Sequence, residues 1–133
     1  ARLLEGADIV LDGSDDFATR FAVNAACRAQ RSPLVSGAVG RWEGQVSVFA
    51  QPGPCYRCLV PETPPDAETC ARVGVVGALT GIIGSIMALE AIKLIAGAGE
   101  PLIGRVMIFD GLNGDARVAK LGRDPACPVC RDE

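Results

Sequence analysis

The chain contains no histidine among its 133 residues. This absence excludes catalytic triads and dyads that use an imidazole base, and it excludes metal sites with histidine ligands. Aromatic residues are few, at 5%, whereas 49% of the chain is hydrophobic, so the core must consist mostly of aliphatic side chains. A net charge of -3, without a stripe of basic residues, argues against a nucleic-acid-binding surface. The length suffices for one domain with a substantial core.

The first residues lack the basic-then-apolar pattern of a secretory leader. We therefore expect a cytoplasmic protein whose six cysteines are thiols and metal ligands rather than disulfides. An uncharged apolar stretch at residues 73–89 is just long enough to raise the question of a membrane span. Glu90 and Lys93 follow within a turn, without a basic flank or an aromatic belt. We expect no membrane span here, but a buried helix that packs through its glycines against a sheet or a partner subunit.

Four of the cysteines form two Cys-x-x-Cys pairs, Cys55 with Cys58 in mid-chain and Cys127 with Cys130 near the last residue. Each pair lies beside a proline or a glycine and borders strand-like sequence, as a tight turn that presents two sulfur atoms requires. The spacing favours one closed tetrahedral zinc site with four thiolates, which would stabilise the fold and not catalyse. Two disulfides, two redox motifs, or reduced cysteines with no joint role are the alternatives.

The pattern of apolar residues predicts an α/β fold in one domain, residues 1–133, with a parallel start and an antiparallel finish. We expect strands at 7–12, 34–39 and 45–49, helices at 17–30 and 74–96, and a hairpin formed by 103–109 and 116–121. Glu43 and Gly44 are predicted to form a turn, and the proline-rich stretch at 60–69 a loop. The sequence has no G-x-G-x-x-G motif at a strand-to-helix turn.

Two carboxylates, Asp12 and Asp15, flank a Gly-Ser turn at the carboxyl end of the first predicted strand. Ligands of open α/β sheets bind at this edge, and carboxylates there suit Mg²⁺ together with phosphate. The alternative is that Asp15 or Asp16 only caps the following helix.

Two further cysteines lie outside the pairs. Cys70 precedes the glycine-rich start of the long helix, and the helix N-terminus together with Arg72 favours the thiolate, which is the nucleophilic form. The alternative is an unreactive thiol. Cys27 lies in mid-helix among small apolar residues and is predicted to be a buried packing residue.

These segments together resemble the MoeB/ThiF family, the HesA-like and ubiquitin-activating-enzyme-like adenylyltransferases. The run from Asp12 through Asp15, Asp16 and Arg20 to Asn24 resembles the family's Asp-x-x-Asp-Asn…Arg…Asn signature. The other matching motifs follow in family order: Ser36-Gly37-Ala38, Glu43-Gly44-Gln45-Val46, Cys55-Tyr-Arg-Cys58, Cys70, Gly77 through Gly84-Ser85, Glu90-Ala-Ile-Lys93 and Cys127-Pro-Val-Cys130.

The resemblance implies the C-terminal part of a Rossmann-like ThiF/MoeB fold with a structural zinc site on Cys55, Cys58, Cys127 and Cys130. It implies adenylation, by ATP and Mg²⁺, of the C-terminal glycine of a small β-grasp sulfur-carrier protein of the MoaD/ThiS kind. The carrier then receives sulfur for molybdopterin or thiamin synthesis. Family members are homodimers.

The resemblance also implies roles for three residues. Asp15 would be the carboxylate for Mg²⁺ and ATP, with Asp12 a further candidate at the same place. Cys70 matches a position that in some members forms a covalent link with the carrier or the sulfur donor.

The chain departs from the family in two respects. Asp16 stands where the signature has asparagine and would add negative charge beside the phosphates. The resemblance covers only the C-terminal half, so the glycine-rich phosphate loop, the adenylation arginines and the lysine would precede Ala1. We therefore expect these 133 residues alone not to adenylate a substrate. Two other functions remain open: a non-catalytic zinc-stapled module that binds a β-grasp partner, and a thiol-redox protein.

Overall fold

The computed structural model describes residues 2–65 and 74–131. Their strands form a five-stranded sheet in the order of the chain: β1 (Val10–Asp12), β2 (Leu34–Val39), β3 (Glu43–Phe49), β4 (Arg105–Asp110) and β5 (Asp115–Lys120). The helices are a 3-10 turn (Arg2–Leu4), α1 (Phe17–Gln30), the short α2 (Tyr56–Leu59) and the long α3 (Gly77–Ala96).

The sheet begins parallel and ends antiparallel. β1 and β2 pair in parallel and are connected by α1, whereas β2 with β3, β3 with β4, and β4 with β5 are antiparallel. The predicted α/β architecture is therefore confirmed. Several predicted bounds were wrong: β1 begins at Val10 rather than at residue 7, Glu43 and Gly44 belong to β3, α3 begins at Gly77 rather than at residue 74, and the hairpin strands are 105–110 and 115–120. The reversal between β2 and β3 lies earlier and is closed by a hydrogen bond from the Gly40 N–H to the Glu43 carbonyl, 2.7 Å.

The core has two parts on opposite faces of the sheet. Consecutive residues of a strand point to opposite faces, and Leu34 and Val35 of β2 accordingly belong to different clusters. On one face, Leu34 packs with residues of α1 and α2, among them Cys27 and Tyr56. On the other, Val35 packs with α3. Cys27 is 2% exposed, which confirms its predicted packing role.

The close contact between α3 and the sheet is made by glycines of the sheet. A Cβ atom on Gly37 would lie 2.2 Å from the Met87 sulfur, and one on Gly44 would lie 2.5 Å from Ile83 Cγ1. By contrast, no heavy atom of the described residues comes within 4 Å of a Cβ position on Gly81 of α3. Of the two predicted alternatives, packing of the helix glycines against the sheet was therefore wrong, because the bulky side chains of α3 occupy that face, and their packing against a partner subunit stays a prediction.

The outer face of α3 is apolar and exposed. Leu89, Ile92 and Ile95 are 55%, 59% and 76% exposed. Among residues 2–65 and 74–131, α3 has the length and composition of a membrane-spanning helix, a test that core helices also pass. Its inner face instead packs on the sheet, and the carboxylate of buried Glu90 accepts the Leu102 N–H at 2.8 Å.

Candidate functional site

The turn after β1 separates its carboxylates by environment. Asp12 ends β1, is 6% exposed, and accepts the Ser14 N–H at 2.8 Å. Asp16 is the N-cap of α1 and accepts the Thr19 N–H at 2.7 Å. Asp15 lies between them and is exposed. The capping role thus belongs to Asp16, whereas Asp15 is exposed beside it.

The environment of Asp16 favours its charged form. Hydrogen bonds from the Thr19 side chain and then from the Thr19 N–H hold the pKa of Asp16 below its ordinary value, and the charge of Arg20 acts in the same direction. The carboxylate also lies at the positive end of α1. The negative charge of Asp16 therefore stabilises the N-terminus of α1.

A cavity of about 350 Å³ opens beside Asp15. Its wall combines the turn after β1, the end of β2 and one side of α3, and the lining includes Gly13, Ser14, Asp15, Arg20, Gly37, Ala38, Val39, Thr80, Ile83, Gly84 and Met87. It therefore lies at the carboxyl end of the parallel strand pair, where open α/β sheets bind ligands. Its volume is in the range of small-molecule sites.

The wall of this cavity includes a buried arginine that the sequence did not single out beyond its place in the signature. Arg20 is 8% exposed and donates hydrogen bonds to the Ser14 carbonyl and, at 3.1 Å, to the Gly37 carbonyl. It lies one turn into the helix that starts at Asp16, and that spacing is the signal that could have placed it near the site. The guanidinium joins the turn after β1 to β2.

The charge of Asp12 acts on two residues of the core. Burial raises the pKa of Cys27 to about 11, and the charge of Asp12 contributes to that rise. Burial is also the largest cause of the raised pKa of Tyr56, and Asp12 again acts in the same direction. Since both residues belong to the core on the α1 face, and Asp12 is not among the cavity residues, its carboxylate serves the turn and the interior.

The four paired cysteines come together in one cluster. Their sulfur atoms all lie within 4.8 Å of one another, and the shortest distances, 3.6 Å between Cys55 and Cys127 and 3.5 Å between Cys58 and Cys130, join the two pairs. A disulfide needs about 2.05 Å between sulfurs, so these four are free thiols. Tetrahedral Zn²⁺ with bonds of about 2.3 Å requires sulfur separations of about 3.8 Å. The cluster fits a metal ion of that kind.

The surroundings of the cluster act differently on its thiols. Burial raises the pKa of Cys55 and Cys130, a cost that a bound cation offsets. Burial acts likewise on Cys127, but N–H donors of Val129 and Cys130 outweigh it and leave that pKa below its ordinary value. The Asp124 N–H approaches the Cys58 sulfur at 3.5 Å.

A buried amide connects the cluster to α1. Asn24, 1% exposed, directs its Nδ2 to the Cys55 sulfur at 3.7 Å, and its Oδ1 accepts the Tyr56 N–H at 2.9 Å. The sequence marked Asn24 as part of the signature without this role. Cys70, the predicted transfer thiol, lies outside the described residues.

With this geometry in place, the comparisons with known proteins identify the family. The model of the ThiF family matches residues 1–129. The chain belongs to the ThiF family. It is 45% identical, over 98% of its length, to a sulfur carrier protein adenylyltransferase of Thermus thermophilus, and 47% identical, again over 98%, to the molybdopterin-synthase adenylyltransferase of Escherichia coli. It spans 51% and 53% of those two proteins.

Solved structures extend the fold of this ThiF-family chain to more distant proteins. The structure of Escherichia coli MccB with ATP superposes with a TM-score of 0.79 at 18% identity, covering 98% of this chain and 42% of that one. At this identity the likeness establishes the fold alone. A fold of the ThiF/MccB kind, with parallel then antiparallel strands and a four-cysteine cluster, is thereby confirmed.

Proposed function

We propose that this cytoplasmic ThiF-family protein uses ATP and Mg²⁺ to adenylate the C-terminal glycine of a small β-grasp sulfur-carrier protein, for molybdopterin or thiamin-type sulfur transfer. The observation that carries the proposal is the identity of 45% and 47%, over nearly the whole chain, with two adenylyltransferases, one of them named for a sulfur carrier protein. The exposed carboxylate beside the cavity agrees with it.

Within this reaction, Asp15 is the residue that binds Mg²⁺ with the phosphates of ATP. Mg²⁺ prefers one or two carboxylates together with phosphate oxygens and water, and when bound it neutralises charge that develops on the phosphates. Asp15 meets this requirement because it is exposed at the cavity, whereas Asp12 is buried and Asp16 caps α1. We assign Asp12 to supporting the turn.

The chemical step is an exchange of groups on the α-phosphorus of ATP. A carboxylate oxygen of the carrier's terminal glycine attacks that phosphorus, the bond to the bridging oxygen of pyrophosphate breaks, and the products are an acyl-adenylate and pyrophosphate. The cavity residues contribute position and charge neutralisation, which dominate phosphoryl chemistry.

The cysteine cluster holds structural zinc in this proposal. Its ligands all come from protein thiolates, so no open position remains for a substrate. Cys70 is the candidate for a covalent link with the carrier after activation. The prediction that residues 1–133 do not catalyse alone stands beside these assignments, since adenylation needs further cationic groups around the phosphates.

A carrier-dependent ATP–pyrophosphate exchange assay on the natural full-length protein tests the proposal. We expect Asp15→Asn to lower exchange by about 10²- to 10³-fold, as the loss of a group that acts on developing charge does. Asp115→Asn is the matched control, because Asp115 is exposed on β5 at the opposite edge of the sheet from β1. Exchange at the wild-type rate in Asp15→Asn would remove the assignment of that residue.

The same experiment separates the catalytic from the non-catalytic function. If the wild-type protein shows no exchange but binds the carrier without nucleotide, the protein is a zinc-stapled binding module rather than an adenylyltransferase.

A further inference from the structure

The cavity wall holds a buried positive charge whose partners are backbone carbonyls. Burying a guanidinium is costly unless its N–H groups are hydrogen-bonded. Arg20, 8% exposed, meets this condition through the carbonyls of Ser14 and Gly37. The two carbonyls belong to separate elements, the turn after β1 and strand β2. The side chain therefore fastens the turn to the sheet.

The Ser14 carbonyl lies next to Asp15 in the chain. The Ser14 carbonyl is part of the peptide group that leads directly into Asp15, and the hydrogen bond from Arg20 fixes the plane of that peptide. On the preceding side, the Asp12 carboxylate holds the Ser14 N–H, and on the following side Asp16 begins α1. Asp15 is the exposed residue between these anchors.

We propose that Arg20 is a positioning residue that orients the Ser14–Asp15 peptide. The expected effect of Arg20 on Mg²⁺ binding rests on the proposed function, whereas its expected effect on the conformation of the turn does not. The two effects are therefore measured separately.

The first measurement is amide hydrogen exchange of residues 14–16 in the natural full-length protein. We expect Arg20→Gln to accelerate exchange there by about tenfold or more, the range expected for losing hydrogen bonds from a charged donor. Arg20→Lys, which keeps a cation with N–H donors, restores part of the protection. Arg2→Gln is the control, since the adjoining Leu4 carbonyl is bound by Gln30 at the far end of α1.

The second measurement is the Mg²⁺ dependence of ATP–pyrophosphate exchange. For Arg20→Gln we expect the half-saturating Mg²⁺ concentration to rise about tenfold, as is typical when a group that orients a metal ligand is lost. Zinc content stays at the wild-type value, which a general loss of structure would lower. For Arg20→Lys we expect a half-saturating Mg²⁺ concentration between those of the wild type and of Arg20→Gln.

The outcomes separate the two proposals. Protection of residues 14–16 that is unchanged in folded Arg20→Gln, or equally reduced in Arg2→Gln, overturns the positioning role. If Arg20→Gln does not fold, Arg20→Lys decides in its place, and wild-type protection of residues 14–16 in that variant overturns the positioning role. If amide exchange of residues 14–16 is faster in Arg20→Gln but the wild-type protein catalyses no ATP–pyrophosphate exchange, the positioning role is supported and the proposed adenylation is rejected.

Discussion

At the scale of single residues, Asp16 is both the N-cap of α1 and a departure from the family signature. It stands where the family signature has asparagine, yet its carboxylate caps α1 and accepts the Thr19 N–H. Asparagine and aspartate are about equally good caps. The capping requirement therefore does not by itself select aspartate, and the family resemblance implies that its extra charge lies beside the phosphates.

The variant Asp16→Asn isolates that charge. We expect a roughly threefold lower KM for ATP at low ionic strength, because a like charge near the phosphates is removed while the cap is kept. Steady-state exchange kinetics measure the change, and the effect should shrink with added salt. Asp115→Asn removes the same charge at the far edge of the sheet and should leave KM unchanged. An equal or higher KM in Asp16→Asn would contradict the expectation.

The lowered pKa of Asp16 also predicts a pH dependence. A carboxyl group whose pKa is lower in the folded state than its ordinary value of 3.8 stabilises the fold above that pH. This contribution is lost as the pH falls through the lower, folded-state pKa. The difference in unfolding free energy between wild type and Asp16→Asn should therefore narrow below pH 3.8, which urea denaturation at several pH values measures. A difference in unfolding free energy that stays constant over this pH range would contradict the prediction.

The roles of some single residues could not be predicted from the sequence. Sequence patterns marked Asp15 and the four cysteines, but they left open which aspartate caps α1, because both spacings permit capping. They also gave no role for Arg20 and Asn24. Charged and amide side chains on a helix are usually exposed. Their burial depends on carbonyl and sulfur partners that only the folded chain brings near.

At the scale of secondary structure, α1 was predictable and α3 only in part. The predicted bounds of α1 agree with the structure because a cap residue and helical spacing coincide there. For α3 the helix itself was evident, but apolar side chains surround its axis, so periodicity does not say which face meets the sheet. The structure places Ile83 and Met87 inward and leaves Gly81 exposed.

This orientation gives opposite expectations for two glycines. Gly44→Ala should lower the free energy of unfolding by about 1–3 kcal/mol, since the new methyl group overlaps Ile83. In the monomer, Gly81→Ala should raise it by up to about 1 kcal/mol, because alanine favours a helix and space is open there in the described part of the chain. Urea denaturation of monomeric protein measures both. A loss of stability in monomeric Gly81→Ala would contradict the second expectation.

At the scale of the whole molecule, the outer face of α3 bears on assembly. We propose that a second copy of the protein covers it, in line with the homodimer that the family resemblance implies. Ile92→Glu, which places a charge in the middle of the exposed apolar face, should then shift the full-length protein from dimer to monomer in sedimentation analysis. Glu100→Gln, at an exposed position beyond the helix, is the control. A wild-type monomer contradicts the proposal.

The cysteine cluster also acts on the whole molecule, because its members are 72 residues apart in the chain. A metal ion there ties residues 127–130 to α2, and through Asn24 to α1. Such a cross-link stabilises a fold chiefly by restricting the unfolded chain. Metal removal should therefore weaken the protein as a whole rather than only its last residues.

We expect elemental analysis to find one zinc ion per chain and a chelator to lower the free energy of unfolding by about 2–5 kcal/mol, the scale of a lost cross-link. Alkylation followed by mass spectrometry should label Cys55, Cys58, Cys127 and Cys130 only after chelation, with Cys70 counted separately. Cys27 should stay unlabelled in the folded protein, because it is buried and its pKa is raised to about 11. Cys127→Ser should lose the metal, whereas Cys27→Ser should keep it. Paired thiols that resist alkylation until a reductant is added would instead identify disulfides and a thiol-redox protein.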